Sequence, residues 1–238
     1  MTPKKIQHLP YQIDPSANRF YFYENWWKRV ALELLRKKAG SLEGWTLLDY
    51  GCGRGETLAY AKEMGMQPLG LDSDSECVRL ARQHGPAELL DLAHPESQVP
   101  PKSYDVIACF HVLEHVENPR AVLTMLGRGA RRYCLVAVPN LSRFPNLRRS
   151  WQPPEHVNPG HLQSWDHAHF KTLAEVHCGL RVVAWGFDAT VLSPLSEWIQ
   201  RIMGTKFVIW LETGFFRWLF PYWGISVLAL LEPKTSSN

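Results

Sequence analysis

A chain of 238 residues with 45% hydrophobic and 21% charged residues is long enough to bury a large core without metals or disulfides. That composition excludes disordered and collagen-like classes. The net charge of +3 is mild, and lysines and arginines fall in short separate groups such as Arg36-Lys37-Lys38, Arg131-Arg132 and Arg148-Arg149. This gives no footprint for nucleic acid.

The first segment, MTPKKIQHLPYQIDPS, carries lysines without an apolar run after them, so no signal peptide is expected. Residues 18–39 repeat apolar positions at helical spacing (Trp27, Val30, Ala31, Leu34, Leu35) and end in a basic turn before Gly40; they predict a leading helix. A strand Thr46–Tyr50 follows, then a glycine turn, then a helix from Glu56 to Met64. The alternation continues with strand 68–72, helix 75–84, strands 87–91 and 104–110, helix 119–126 and strand 133–138. Such a series predicts a mostly parallel sheet with helices on both faces, which binds ligands at the carboxyl ends of its strands.

From Pro139 to Ser164 the pattern gives way to a loop rich in Pro, Asn and His. A helix 165–178, a strand 180–187, two apolar helical pieces within 194–220 parted by Gly204-Thr205, and a last strand 224–231 complete the reading. Ten tryptophans are present, and five of them (Trp185, Trp198, Trp210, Trp218, Trp223) lie in this last part. The longest uncharged run, Trp218 to Leu231, is 14 residues with Pro221 inside it, too short to span a bilayer. The five cysteines, Cys52, Cys77, Cys109, Cys134 and Cys178, are dispersed with no C-x-x-C pair. They read as reduced thiols of a cytoplasmic protein rather than zinc ligands.

The strongest local signal is Leu47-Leu48-Asp49-Tyr50-Gly51-Cys52-Gly53-Arg54-Gly55, a strand running into G-x-G-x-G before a helix. Glycines there allow a sharp turn and close approach of the backbone to a ligand. Asp72 closes the next strand 17 residues after Gly55, where a carboxylate can accept from both hydroxyls of a ribose. A dinucleotide fingerprint would need Gly or Ala at position 56. Glu56 stands there and would face a pyrophosphate with the wrong charge, which disfavours NAD and FAD. A sulfonium cofactor tolerates acidic neighbours.

These residues, followed by Asp91-Leu92, Tyr104-Asp105-Val106 and His111-Val112-Leu113-Glu114-His115-Val116, resemble the successive motifs of class I S-adenosylmethionine-dependent methyltransferases. The resemblance covers about residues 45–140. It implies an α/β, doubly wound, Rossmann-like, mostly parallel seven-stranded sheet with helices on both faces and an antiparallel last strand. It also implies one domain over 1–238, with a helical cap at 1–40, a cofactor-binding half at 45–140 and a substrate-side half at 140–238 carrying insertions at 140–164 and 194–220.

For S-adenosyl-L-methionine as cofactor, the resemblance implies that Gly51, Cys52 and Gly53 pass under the methionine part and that Asp49 supports the loop. Asp72 with Ser73 would hold the ribose, Asp91 and the backbone of Leu92 would read the adenine amino group, and Phe110 with His111 would line the cofactor. The plain alternative is that the acids cap helices and turns.

Within that superfamily the L-E-H-V turn, the strand end Val138-Pro139-Asn140 and the segment Glu155-His156-Val157-Asn158 through His161 are similar to small-molecule methyltransferases. These include the ubiquinone-pathway O-methyltransferases and a methionine-biosynthesis-associated type. The chain departs from the ubiquinone type at His111, where that type has Glu.

Methyl transfer needs an acceptor held in line and, where required, a base. His111 and His115 are the candidate bases, with His156 and His161 nearby in predicted loops. His111, Glu114 and His115 stand at i, i+3 and i+4, a spacing that shares one helical face and could hold a metal.

The expected acceptor is small and partly apolar, methylated on oxygen or nitrogen, and no nucleic acid is expected because neither N-P-P-Y nor D-P-P-Y follows the fourth strand. A catalytically silent cofactor-binding protein and a nucleic-acid methyltransferase are the alternatives. The leading helix and segment 194–220 are expected to close over the pocket. Residues 194–223 have three readings: packing on the sheet edge, a lid over an apolar acceptor, or a surface for a membrane or partner. The chain is expected to be a monomer or homodimer.

Overall fold

The computed structural model of the chain describes residues 19–142 and 160–234. Helix α1 (Arg19–Ala39) leads into β1 (Thr46–Tyr50), α2 (Glu56–Glu63), β2 (Gln67–Asp72), α3 (Ser75–Ala81), β3 (Ala87–Leu89) and a one-turn helix α4 (Pro95–Gln98). Next come β4 (Tyr104–Phe110), α5 (Pro119–Gly129), β5 (Ala130–Pro139), α6 (His167–Thr172), β6 (Leu180–Gly186), α7 (Leu195–Met203), α8 (Thr205–Trp210), α9 (Phe216–Leu219) and β7 (Ser226–Pro233).

The strands form one seven-stranded sheet in the order β3-β2-β1-β4-β5-β7-β6. The first five are parallel, β7 runs antiparallel between β5 and β6, and the order reverses between β1 and β4. The expected architecture is borne out, including the antiparallel last strand.

Period-two alternation along each strand divides the core into two layers. Leu47, Val106, Ala108, Phe110, Leu135, Ala137, Leu228 and Leu230 face Trp27, Ala31, Leu32 and Leu35 of α1. Leu48, Tyr50, Ile107, Cys109, Val136, Val138 and Ala229 face Leu123 and Leu126 of α5 and Phe170 of α6. Helices therefore cover both faces. Because α1 supplies four buried side chains to one layer, it is part of the core, and this layer holds it across the sheet where its first turns reach the carboxyl ends of the strands. All five cysteines are buried and unpaired.

Several element boundaries differ from the sequence reading, among them those of β5, α6 and β7. Strand β5 starts three residues early because Arg131 and Arg132 lie within it, ion-paired to Asp105 at 3.8 and 3.6 Å, with Arg132 stacked over Trp45 at 4.5 Å. Charge hid a strand end there. Helix α6 stops at Thr172, and a wider π turn, Leu173–His177, continues it. Strand β7 starts at Ser226 rather than 224, since Gly224 lies against the carboxylate of Asp188.

Candidate active site

The turn after β1 takes three left-handed steps: Gly51, Gly53 and Gly55 have φ of 80°, 53° and 90°, conformations that cost glycine nothing and other residues 1 kcal/mol or more, roughly. The three serve different ends. A Cβ at Gly51 would lie 2.2 Å from Val112 Cγ2, and one at Gly55 would lie 2.8 Å from Ala81 Cα, whereas one at Gly53 meets nothing within 4 Å. Gly51 thus admits the turn that follows β4, Gly55 admits α3, and Gly53 opens to the space where a ligand can approach the backbone.

The loop is held by its neighbour strand. Amides of Gly51 and Cys52 donate to Leu71 O at 2.7 and 2.9 Å. Asp72 accepts from Gly53 N–H at 2.8 Å and from Asp74 N–H at 2.9 Å. Each of its oxygens keeps a further lone pair, enough for a ribose diol. Ser73 is exposed beside it. Cys52 is buried, its sulfur against Gly70, so only its backbone is placed to meet a ligand.

Asp49, at the end of β1, is 1% exposed. Its Oδ1 has no hydrogen-bond partner, and burial pushes its carboxyl up to about 7 against the pull of Lys28. A buried carboxylate oxygen without a partner invites a cation. Glu56 does not stand free at the helix start: Lys28 of α1 binds it at 2.9 Å. Burial raises the Glu56 carboxyl, but the lysine wins and holds it below its usual value.

Asp91 is an exposed turn-former. Its Oδ1 accepts from Ala93 N–H at 2.9 Å and His94 N–H at 3.4 Å, and its own N–H donates to Gln98 at 2.7 Å. Leu92 beside it is exposed. The capping role named as the plain alternative is the one the side chain of Asp91 performs.

The second half of the site follows β4. His111 has φ 54°, a left-handed conformation that a non-glycine residue holds only when surroundings impose it. Its N–H donates to Ala137 O at 2.9 Å. Nδ1 lies 3.1 Å from Glu114 Oε1 and Nε2 lies 3.2 Å from Ser226 Oγ. A carboxylate accepts, so Nδ1 carries the proton and Nε2 is the basic nitrogen, facing the Ser226 hydroxyl. Trp27 stands edge-on to both Phe110 and His111, with ring centres at 5.0 Å.

Ser226 N–H in turn donates to Asp188 Oδ2 at 2.9 Å. Asp188 is buried, its Oδ1 lacks a partner, and burial pushes its carboxyl up to about 7. A polar line Glu114–His111–Ser226–Asp188 therefore joins β4, β7 and the end of β6. Ser226 and Asp188 were missed in the sequence; the one available signal was an acidic residue directly after an apolar strand, as at Asp72.

His115 departs from expectation. The chain after Phe110 forms a short 3₁₀ turn, Leu113–His115, and directs His115 away from His111, to Gly160 O at 2.9 Å and the ring of His161 at 4.9 Å. The His111, Glu114, His115 face is thereby split. Among the described residues, Glu114, His115 and His161 instead bring ligand-type atoms within 4.8 Å of one another, with Oε2 of Glu114 buried and unpartnered. His156 and the rest of 143–159 lie outside the described residues.

Residues 16–184 match the family model described as methyltransferase domain. Among curated relatives, a ubiquinone biosynthesis O-methyltransferase of Aeromonas salmonicida is 30% identical over 122 residues, 49% of this chain and 51% of that protein. One from Photobacterium profundum is 35% identical over 100 residues, 40% and 43% of the two chains. The chain spans about half the length of these relatives or less.

Two solved structures share the fold. Magnesium protoporphyrin IX methyltransferase from Synechocystis with bound SAH has a TM-score of 0.62 at 15% identity, covering 95% of this chain and 90% of its own. A putative methyltransferase in complex with the Trm112 activator, from Haloferax volcanii, has 0.61 at 17%, covering 93% and 96%. With the glycine turn, the acids at the ends of β1 and β2 and the strand order already in place, the match over most of its length shows that this chain belongs to the methyltransferase domain family of class I S-adenosylmethionine-dependent proteins.

Proposed function

We propose that the protein transfers a methyl group from S-adenosylmethionine to an oxygen or nitrogen of a small, partly apolar acceptor. The observation that carries this is the buried, unpartnered Oδ1 of Asp49 at the strand end leading to the open Gly53, a place suited to a positively charged ligand. S-Adenosylmethionine, when bound, supplies the methyl on a sulfonium that needs little further activation.

In this reading Asp49 balances the positive charge, Asp72 accepts from the ribose hydroxyls, and Asp91 with the backbone of Leu92 reads the adenine amino group. Phe110 and Trp27 exclude water beside His111. The acceptor atom forms its bond to the methyl carbon, the electron pair of the broken bond stays on sulfur, and the acceptor proton passes to His111 Nε2. Glu114 fixes the tautomer. The relatives' printed names, with a ubiquinone-biosynthesis or protoporphyrin acceptor, support a partly apolar acceptor.

The domain reading goes with it: one unit in which α1 and the 195–219 helices close the site. Tyr23 Oη donates to the buried Glu212, and Arg217 stacks over Trp26 at 5.4 Å, so the two covers are tied together. A second reading adds a divalent ion held by Glu114, His115 and His161, favoured by the unpartnered Oε2 of Glu114; the ion would orient acceptor oxygens.

The test is methyl transfer from labelled cofactor to a panel of apolar phenols and amines, with and without chelator, beside metal analysis of untagged protein. Transfer to at least one acceptor is expected. Cofactor binding without transfer to any would instead favour the silent-binder alternative.

A further inference from the structure

The outer side of the α7–α9 segment takes no part in the site described above. Its inner side is buried through Ser196, Val208, Glu212 and Phe216. Its outer side exposes Trp198, Ile202, Phe207, Trp210 and Trp218, with Trp198 63% and Trp218 75% exposed. Scattered apolar residues need no explanation, but an aromatic-rich run of this kind does.

The charges in this segment are one-sided. Arg201 and Lys206 are its exposed charged residues, and they flank the Gly204 break between α7 and α8. Its acids turn inward or are engaged: Glu212 is buried and Glu197 accepts from Ser193 at 2.6 Å. Arg201 follows Trp198 at i+3, and Lys206 precedes Trp210 at i+4, so cations and indoles share the same surface.

A second copy is a poor occupant, because a two-fold contact would set Arg201 and Lys206 against a face of the same sign. An anionic bilayer surface fits both features: indoles settle at headgroup depth and cations meet the lipid phosphates. Among the described residues no helix is long and apolar enough to cross a membrane, so the contact is peripheral.

We propose that the outer face of α7–α9 docks the protein on the surface of an anionic lipid bilayer through Trp198, Trp210 and Trp218, with Arg201 and Lys206 paired to headgroups. The proposal is independent of the acceptor's identity.

Flotation with vesicles of phosphatidylcholine alone, and of phosphatidylcholine mixed equally with phosphatidylglycerol, tests it. Binding to the mixed vesicles, with blue-shifted tryptophan emission and sensitivity to salt, is expected. Arg201→Ser and Lys206→Ser should each weaken it roughly fivefold at low salt, and Trp198→Ser with Trp218→Ser by more than about tenfold. All four side chains are exposed, so melting temperature and S-adenosylhomocysteine affinity should hold in every variant. Failure of the native protein to float with the mixed vesicles would overturn the proposal. So would flotation unchanged by the tryptophan pair, or a concentration-dependent dimer that this pair of substitutions dissolves.

Discussion

Two turns at the carboxyl end of the sheet bend the chain into the same left-handed region by opposite means. After β1 the bend is made by glycines, which take it freely, and the loop is fastened by backbone amides to Leu71 and Asp72. After β4 the bend is made by His111, which resists it, and three partners hold it there: the buried Glu114 three residues on, and Ala137 and Ser226 from two other strands. The first is local chemistry written in adjacent residues. The second exists only because distant parts of the chain meet. A conformation costing about 1 to 3 kcal/mol persists when the fold imposes it, and the base role proposed for His111 depends on that imposition.

The largest effect should come from separating backbone from imidazole at His111. Asn tolerates the left-handed region, so His111→Asn should fold with a melting temperature near the native one, while turnover falls about 10²- to 10⁴-fold, the range of a lost general base. Full activity in that variant would reduce His111 to a structural turn. Gly51→Ala should come next, destabilising by about 3 kcal/mol in urea titration, because the new methyl collides with Val112 and φ is 80°. Stability within about 0.5 kcal/mol of native would show that Val112 yields and the two turns are not interlocked.

A smaller effect is expected from pH. Asp49 and Asp188 have carboxyls raised by burial to about 7 from the ordinary 3.8, so the folded state holds their protons more tightly than the unfolded chain. The stability these two groups contribute, full below about pH 4, should decline as pH rises to 7. Added S-adenosylhomocysteine, whose ammonium favours ionised Asp49, should flatten the decline. A melting temperature that climbs over this window in Asp49→Asn and native protein alike would contradict it. Least costly to the fold is Gly53→Ala, about 1 kcal/mol for the backbone alone, since the site is open; its loss should appear in ligand affinity instead.

The same contrast explains what the sequence made legible. Strands β1 and β4 are short apolar runs flanked by turn residues, and their bounds were read without error. Gly204 parts α7 from α8, as a glycine between two apolar helical runs should. By contrast, pairing of His111 with Ser226 bridges 115 positions, and the meeting of His115 with His161 depends on where an irregular loop returns. No periodicity encodes such contacts. Helical spacing even misled, because it placed His111 and His115 on one face where a 3₁₀ turn parts them. Asp91 likewise matched a motif whose side chain turned out to shape its own turn.

The proposed function stands or falls with the turn after β1, where Asp49 and Asp72 are placed to hold an S-adenosyl cofactor. Calorimetric titration of the native protein and of Asp72→Ala with S-adenosylhomocysteine tests it most directly. Micromolar binding by the native protein, weakened by about 2 to 4 kcal/mol on losing two charge-assisted hydrogen bonds, is the predicted result. No binding, or an affinity unchanged by the substitution, would contradict it.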